Sequence, residues 1–550
     1  MNIPKIPLGK WALLSALSTL LSVSWAATPQ EQERIQHFTV LHTNDHHGHF
    51  WPSRDGEYGL AAQKTVIDRI RAEVKQQGGH TLLLSAGDVN TGSPESNLLD
   101  AEPDFKAMDA IGYDAMVLGN HEFDKPLTVL NKQRGWVRFP MLSANIYSQN
   151  KRLFPPYSLF KLGGLRVAVL GLTTEDTTKL TNPNNINGLT FRSARAEAAE
   201  LIPSLRNVAD IVIALTHLGH YPDGKHGLQA PGDVELARTV NGIDVIVGGH
   251  THSTVCMVAD NVRAEPYVPG TPCRPDRQNG TWIVQAGSWG KYVGRADFEF
   301  NGRQLRLANY QLIPINLTLK KTSHDAVDKS VHSLNAEKII PDPAMVKLLA
   351  SYQQHGHQAL SQPIGQINGS LGEEPELVRQ QPVGLAVFTA KIFMDKLHAD
   401  FAVLNGGKIR DVLHSGVVTY KDVLRYLPFG NNLAYVEMTG RDVMDFLNMA
   451  AKMSPGSGGF AQFAGIHLTI KQGKVIDASI KGKPIQATQR YRMATDSFLA
   501  AGGDGYPKLE QHPGFVATDW IDADVVKDYI ATHSPINAAD FAPGDAVIRH

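Results

Sequence analysis

Residues 38–47 read FTVLHTNDHH, an apolar and β-branched run that stops at Asn44, Asp45, His46 and His47. A short continuous apolar run of this kind suits a strand buried on both faces. The same punctuation recurs along the first half of the chain. TLLLSA (81–86) runs into Gly87 and Asp88, and DAMVL (114–118) into Gly119, Asn120, His121 and Glu122. DIVIAL (210–215) runs into Thr216 and His217, and IDVIVG (243–248) into Gly249, His250, Thr251 and His252. FPMLSA (139–144), RVAVLG (166–171) and WIVQA (282–286) complete the set, with helical patterns between them at 59–77 and 192–207. Strands alternating with helices predict an α/β layered domain. In such sheets functional groups collect beyond the C-terminal strand ends. Residues remote in sequence can therefore converge there.

A single His after a strand is ordinarily a loop residue, and a single Asp is often a helix cap. Here Asp45, His47, Asp88, Asn120, His121, His217, His250 and His252 all follow strands of one domain. Two divalent cations about 3.5–4 Å apart need mixed N/O ligands and one shared carboxylate. Asp88 is the natural bridge. The i, i+2 spacing of Asp45/His47 and of His250/His252 suits a short extended loop feeding one centre. His121 and Asp124, at i, i+3, share a face if that segment is helical, so that Asp124 orients His121 and favours its protonated form. The other reading is a purely structural His–Asp pair. His46, His49 and His220 are expected in loop or supporting roles.

Composition bounds the rest. The chain has 550 residues, with 42% apolar and 19% charged side chains, which fits two or three globular domains. Lys plus Arg total 53 against 54 for Asp plus Glu, a net charge of −1. That balance excludes the general basic face of a nucleic-acid or acidic-membrane binder. Two cysteines exclude zinc ribbons and iron–sulfur sites. Lys5 and Lys10, the apolar stretch 11–23, and Ser24 and Ala26 before a cleavage point read as a signal peptide over 1–26. The apolar core is too short to span a bilayer. Cleavage removes two positive charges, leaving about −3 on a periplasmic product with no membrane segment. In that oxidising compartment Cys256 and Cys273 are free to pair; two buried thiols are the alternative. The texture changes after about 318. The expected domains are 27–340, a linker helix within 341–363, and a second domain over 364–550. That domain carries helices near 383–397, 420–426 and 440–453, and strands near 400–405, 433–438, 465–470 and 490–495.

The ordered set DxH, GDxxxG, GNHE, TH and GGHTH over residues 45–252 resembles the motif set of the calcineurin-like metallophosphoesterases. Longer strings narrow it: TVLHTNDHHGHFW (39–51), EYGLAAQKT (57–65), GNHEFD (119–124), VPGTPC (268–273), WGKYVGRADFEF (289–300), LPFGN (427–431) and GGDGYP (502–507). Over roughly residues 35–550 the chain is similar to bacterial periplasmic 5′-nucleotidases and UDP-sugar hydrolases. The resemblance implies a four-layer α/β sandwich followed by a smaller α/β (α+β) substrate-binding domain. It implies one metal on Asp45, His47, Asp88 and His252 and another on Asp88, Asn120, His217 and His250, with Zn²⁺, Mn²⁺ or Co²⁺ as candidates. Some relatives carry Gln where His252 stands. His121 and Asp124 become the catalytic dyad, and the Cys256–Cys273 bridge braces a loop.

In the second domain, NGGKIR (405–410) resembles the family's NGGGIR loop, with Lys408 in place of a Gly. The resemblance implies Arg379 and Arg410 as phosphate clamps, Phe429 and Phe498 as a base sandwich, Asn431 as a base contact and Asp504 as a ribose acceptor. Periodicity leaves core packing open for each Phe. Relatives often carry a basic residue before Arg379, where this chain has Pro375. The expected activity is a monomeric dimetal hydrolase of 5′-nucleotides and nucleotide sugars, alternating between open and closed domain arrangements. A 2′,3′-cyclic-nucleotide phosphodiesterase/3′-nucleotidase and a non-catalytic nucleotide-binding surface protein are the alternatives.

Overall fold

A computed structural model describes residues 35–53, 55–181, 183–222, 230–319, 332–333, 338–372, 374–544 and 546–549. The expected signal peptide lies outside them. All eight apolar runs of the first domain form strands, and they sort into two six-stranded sheets. The first sheet runs in the order 305–314, 292–300, 36–43, 80–85, 115–117, 141–142. Its last four strands are parallel. The second runs 276–278, 281–284, 245–247, 211–217, 165–173, 157–162, with a parallel centre and antiparallel edges.

The inner faces of the two sheets form one apolar layer. Phe38, Val40, Leu82 and Leu84 from the first sheet meet Val167, Val169, Ile211 and Ile213 from the second. The outer face of the first sheet is covered by helices Leu60–Gln76 and Glu102–Ile111, the outer face of the second by helix Ala194–Val208. Helix, sheet, sheet and helix give the four layers. The alternation of strand and helix forces this arrangement, because each parallel sheet must bury both faces.

The helix expected at 344–360 spans Pro343–Leu360, starts at a side-chain cap from Asp342, and buries Met345 and Leu349 in the first domain's core. Beyond it lies a second body with its own core. Its five-stranded sheet runs 461–464, 401–405, 490–496, 432–439, 515–521. Helices Gly384–Leu397 and Asp522–His533 cover one face and helix Gly440–Ala450 the other. Two helices of this body, Tyr420–Tyr426 and Gly440–Ala450, begin with Thr–Asp capping boxes.

The two sheets of the first domain approach closely at Gly171. A Cβ there would lie 2.5 Å from Leu142 Cβ and 2.8 Å from the Leu142 carbonyl carbon. Gly171→Ala must therefore push the sheets apart. We expect a loss of about 1–3 kcal/mol in a urea titration, with an unchanged midpoint as the contrary result.

Candidate active site

The strand ends meet at one edge of the sandwich. Three groups of ligand-type atoms gather there, each with atoms within 4.8 Å of one another: Asp45, His47 and His252; His47, Asp88 and His121; Asp88, His217 and His250. Asp88 lies between the outer two groups. Its Oδ2 is 2.9 Å from His217 Nε2, 3.9 Å from His47 Nε2 and 4.0 Å from His121 Nε2. His252 Nε2 lies 3.5 Å from Asp45 Oδ1 and 2.9 Å from His47 Nε2. Asn120 Oδ1 joins at 2.9 Å from His250 Nδ1. All seven ligands expected from sequence are thus brought together.

The donor set suits divalent cations. His217 Nδ1 is 2.6 Å from the Ala86 carbonyl, and His47 Nδ1 is 2.8 Å from that of Thr91. A carbonyl can only accept, so each Nδ1 carries the proton in the neutral ring. Each Nε2 then presents a lone pair to the centre. His217 Nε2 is buried and lacks a hydrogen bond of good geometry, although it faces Asp88. Burial would raise the Asp88 carboxyl, but His217, His121 and His47 hold it well below the usual range. Burial and the neighbouring Asp88 charge push Asp45 the other way. Two buried carboxylates among imidazoles call for compensating positive charge.

The backbone at these positions is unusual. Asp45, His47, Asp88, His250 and His252 all have φ between 49° and 79°. Non-glycine residues seldom adopt this left-handed region, and such outliers gather at functional sites. Neighbouring side chains hold it. Glu122, which the sequence placed beside the ligands without a role, turns away from them. Its carboxylate accepts the backbone N–H groups of Asp88 (3.0 Å), Val89 (2.9 Å), Asn90 (3.1 Å) and Gly119 (2.7 Å). Asn44 donates to Asp45 Oδ2 at 2.6 Å and accepts from Ala286 N–H at 2.7 Å. Gly119 is required by space, since a Cβ there would sit 2.2 Å from Asp88 Oδ1.

His121 opens a single 3₁₀ turn, His121–Phe123, which sets the expected i, i+3 geometry. Its Nδ1 is 2.6 Å from Asp124 Oδ2. Burial opposes a charge on His121, but Asp124 and Asp88 raise it overall. The second domain reaches this dyad directly. Phe429 stacks on His121 at 5.9 Å between ring centroids and 15° between planes. Arg410 Cζ lies 5.3 Å from the Phe429 ring. Its charge is felt at His47, His121 and His252. Burial, with Arg379 beside it, lowers Arg410 to about 10. Phe429 and Phe498 are only half-buried and belong to neither core cluster of their domain. Asn431 is also half-buried. Asp504 is buried and accepts from Asn405 Nδ2 at 2.6 Å. Beside its loop a cleft of about 470 Å³ opens, with Lys179 and Ile186–Gly188 on one side and Gly502, Gly505 and Lys508 on the other.

Known proteins share both halves of this architecture. Residues 38–254 match the family described as calcineurin-like phosphoesterase, and residues 363–511 the 5′-nucleotidase C-terminal domain. Protein UshA of Escherichia coli (strain K12) is 50% identical over 538 residues, covering 96% of this chain and 97% of the relative. The chain belongs to the 5′-nucleotidase family. A 5′-nucleotidase of Vibrio vulnificus (strain CMCP6) is 49% identical over 543 residues, covering 98% of this chain and 97% of that protein. The crystal structure of a 5′-nucleotidase precursor from Thermus thermophilus superposes with a TM-score of 0.75 at 26% identity, covering 93% of this chain and 99% of that one.

This member of the family is a metal-dependent phosphoesterase, and its His/Asp clusters are of a kind that could hold divalent cations. Cys256 and Cys273 are bonded just beyond the His250–His252 turn. The three further histidines have partners outside the ligand cluster. His46 Nδ1 is 3.5 Å from Asp104, His49 stacks on Trp289, and His220 Nε2 is 2.9 Å from Asp276. Replacing Glu122 by Ala would strand four N–H groups beneath Asp88. We expect a roughly 10–100-fold loss of metal affinity and a lower Tm, read by metal titration and calorimetry. Wild-type affinity would show that the carboxylate does not position Asp88.

Proposed function

We propose that this chain releases phosphate from 5′-nucleotides and cleaves UDP-sugars to UMP and sugar 1-phosphate. One observation carries this proposal. Arg379 and Arg410 have no ion-pair partner among the described residues, yet they face a cluster of metal ligands across the junction of two bodies. Unpaired guanidiniums beside a dimetal-type centre suit a phosphoryl group, which a planar fork can hold in bidentate fashion.

We assign one cation to Asp45, His47, Asp88 and His252, and the other to Asp88, Asn120, His217 and His250. Zn²⁺, Mn²⁺ and Co²⁺ all suit such mixed ligation. When bound, two such cations neutralise phosphoryl oxygens and activate water near neutral pH. The protein's own groups do the rest. Arg379 and Arg410 bind and orient the phosphate. Protonated His121, fixed through Nδ1 by Asp124, turns its Nε2–H toward the centre, where it stabilises charge developing on the transferred group and its leaving oxygen. Phe429 and Phe498 stack on the base, Asn431 contacts its edge, and Asp504 accepts from the ribose. Stacking is tolerant because every base has a π-face.

The chemistry belongs to residues 27–340, the helical linker to 341–363 and base recognition to 364–550. We propose a periplasmic monomer that closes around its substrate and excludes water. Among the described residues no helix is long and apolar enough to cross a membrane.

Two experiments test this proposal. The first offers AMP, UDP-glucose and 2′,3′-cyclic AMP with Mn²⁺ or Zn²⁺, and again after EDTA. EDTA-sensitive phosphate from AMP and glucose 1-phosphate from UDP-glucose are expected. Cleavage of the cyclic nucleotide alone would point to a 3′-nucleotidase, and no turnover with any metal to a binding protein. The second is Asp124→Asn. Because Asp124 raises His121, its loss should move the alkaline limb of kcat to lower pH and reduce kcat about 10²-fold. An unmoved limb would remove His121 from the proton inventory.

A further inference from the structure

Lys408 departs from the resembled loop sequence, and it does not point at the phosphate site. Its side chain is buried at 2% exposure, and its ammonium lies between two fully buried carboxylates. Asp496 Oδ2 is 3.1 Å away, and Asp522 Oδ2 is hydrogen-bonded to it. Burial disfavours charge on Lys408 and on Asp522, but the two carboxylates more than restore it on Lys408. The Phe393 ring, 5.8 Å from Nζ, closes another side.

Each member of this triad sits next to a different part of the proposed nucleotide site. Lys408 is two residues from Arg410, whose own N–H donates to the Tyr426 carbonyl at 3.0 Å, just ahead of the 427–431 loop. Asp496 is two residues from Phe498. Its Oδ1 accepts the Leu499 N–H at 2.9 Å and so fixes the first turn that carries that ring. Asp522 donates its N–H to the Asn431 carbonyl at 2.9 Å. The Ser497 hydroxyl accepts from Asn432 N–H at 3.2 Å and ties the last two together.

We infer that Lys408 is a positioning residue that sets the register between the phosphate clamp and the base slot, by pinning the Arg410 loop to the segments that carry Phe498 and Asn431. This inference rests on the nucleotide assignment proposed above. A ligand that spans both ends needs the register. A ligand that occupies one end does not.

The experiment compares AMP, which spans both, with inorganic phosphate and adenosine as competitive inhibitors that occupy one each. For Lys408→Met the KM for AMP should rise at least tenfold, while both inhibition constants change less than threefold. Lys408→Arg, which keeps the charge between the two acids, should recover most of the AMP affinity. An unchanged KM, or inhibition constants that rise together with it, would overturn the inference. If Lys408→Met does not fold, Lys408→Met combined with Asp522→Asn removes the excess buried charge. Its KM for AMP should stay elevated, and a return to the wild-type value would equally overturn it. Failure of the nucleotide assignment looks different: the unmutated protein would then show no inhibition by adenosine and no preference for AMP over 4-nitrophenyl phosphate.

Discussion

Two buried carboxylates, Asp45 and Asp88, share one pocket with His47, His121, His217, His250 and His252. Negative charge in such a place is costly unless cations answer it. Much of the first domain can be understood as a device for bearing that cost. Parallel strands deliver the ligands to one edge, where loops are free to turn inward. Glu122 collects the N–H groups beneath Asp88, and Asn44 fixes Asp45. The carbonyls of Ala86 and Thr91 choose the tautomers of His217 and His47. All of these contacts are made within the protein. They make the centre a property of the whole sandwich rather than of its loops alone.

The second domain contributes the opposite sign. Its guanidiniums and its aromatic ring approach the ligand cluster from across the junction, and Phe429 rests on His121. Behind that surface the same domain keeps a buried ammonium between two acids. Two other contacts at the junction are polar. Lys421 pairs with the buried Glu95, and Asn97 Nδ2 reaches the Pro428 carbonyl at 3.4 Å. Polar junctions of this kind separate at lower cost than apolar ones, because water replaces their partners.

Much of this was legible in the sequence, for a physical reason. A strand buried on both faces must be a solid apolar run, so its end is sharp, and Asp45, Asp88, Asn120, His217 and His250 stand at such ends. The two antiparallel strands at one end of the first sheet were harder. Residues 292–300 and 305–314 alternate more buried with less buried side chains, with charges between them, and their period is easily lost. The supporting groups were not legible at all. Glu122 reads as one more polar residue beside the ligands until its carboxylate is seen turned toward four N–H groups. Lys408 stands in a loop expected to hold phosphate, where a lysine suggests an anion contact. Its partners, Asp496 and Asp522, come from strands and helices much further along the chain, and no local pattern announces them.

The left-handed backbone at five ligand positions has a consequence for how such an enzyme can change. Each of those residues sits where glycine or asparagine would be more at ease, at a cost of order 1 kcal/mol per position. Local preference and chemistry therefore disagree at the centre, which is frustration in the landscape sense. Drift toward greater thermal robustness would favour the very substitutions that abolish the ligands. A descendant released from selection for turnover could become a sturdier protein as it lost its metals, keeping the sandwich and surrendering the reaction.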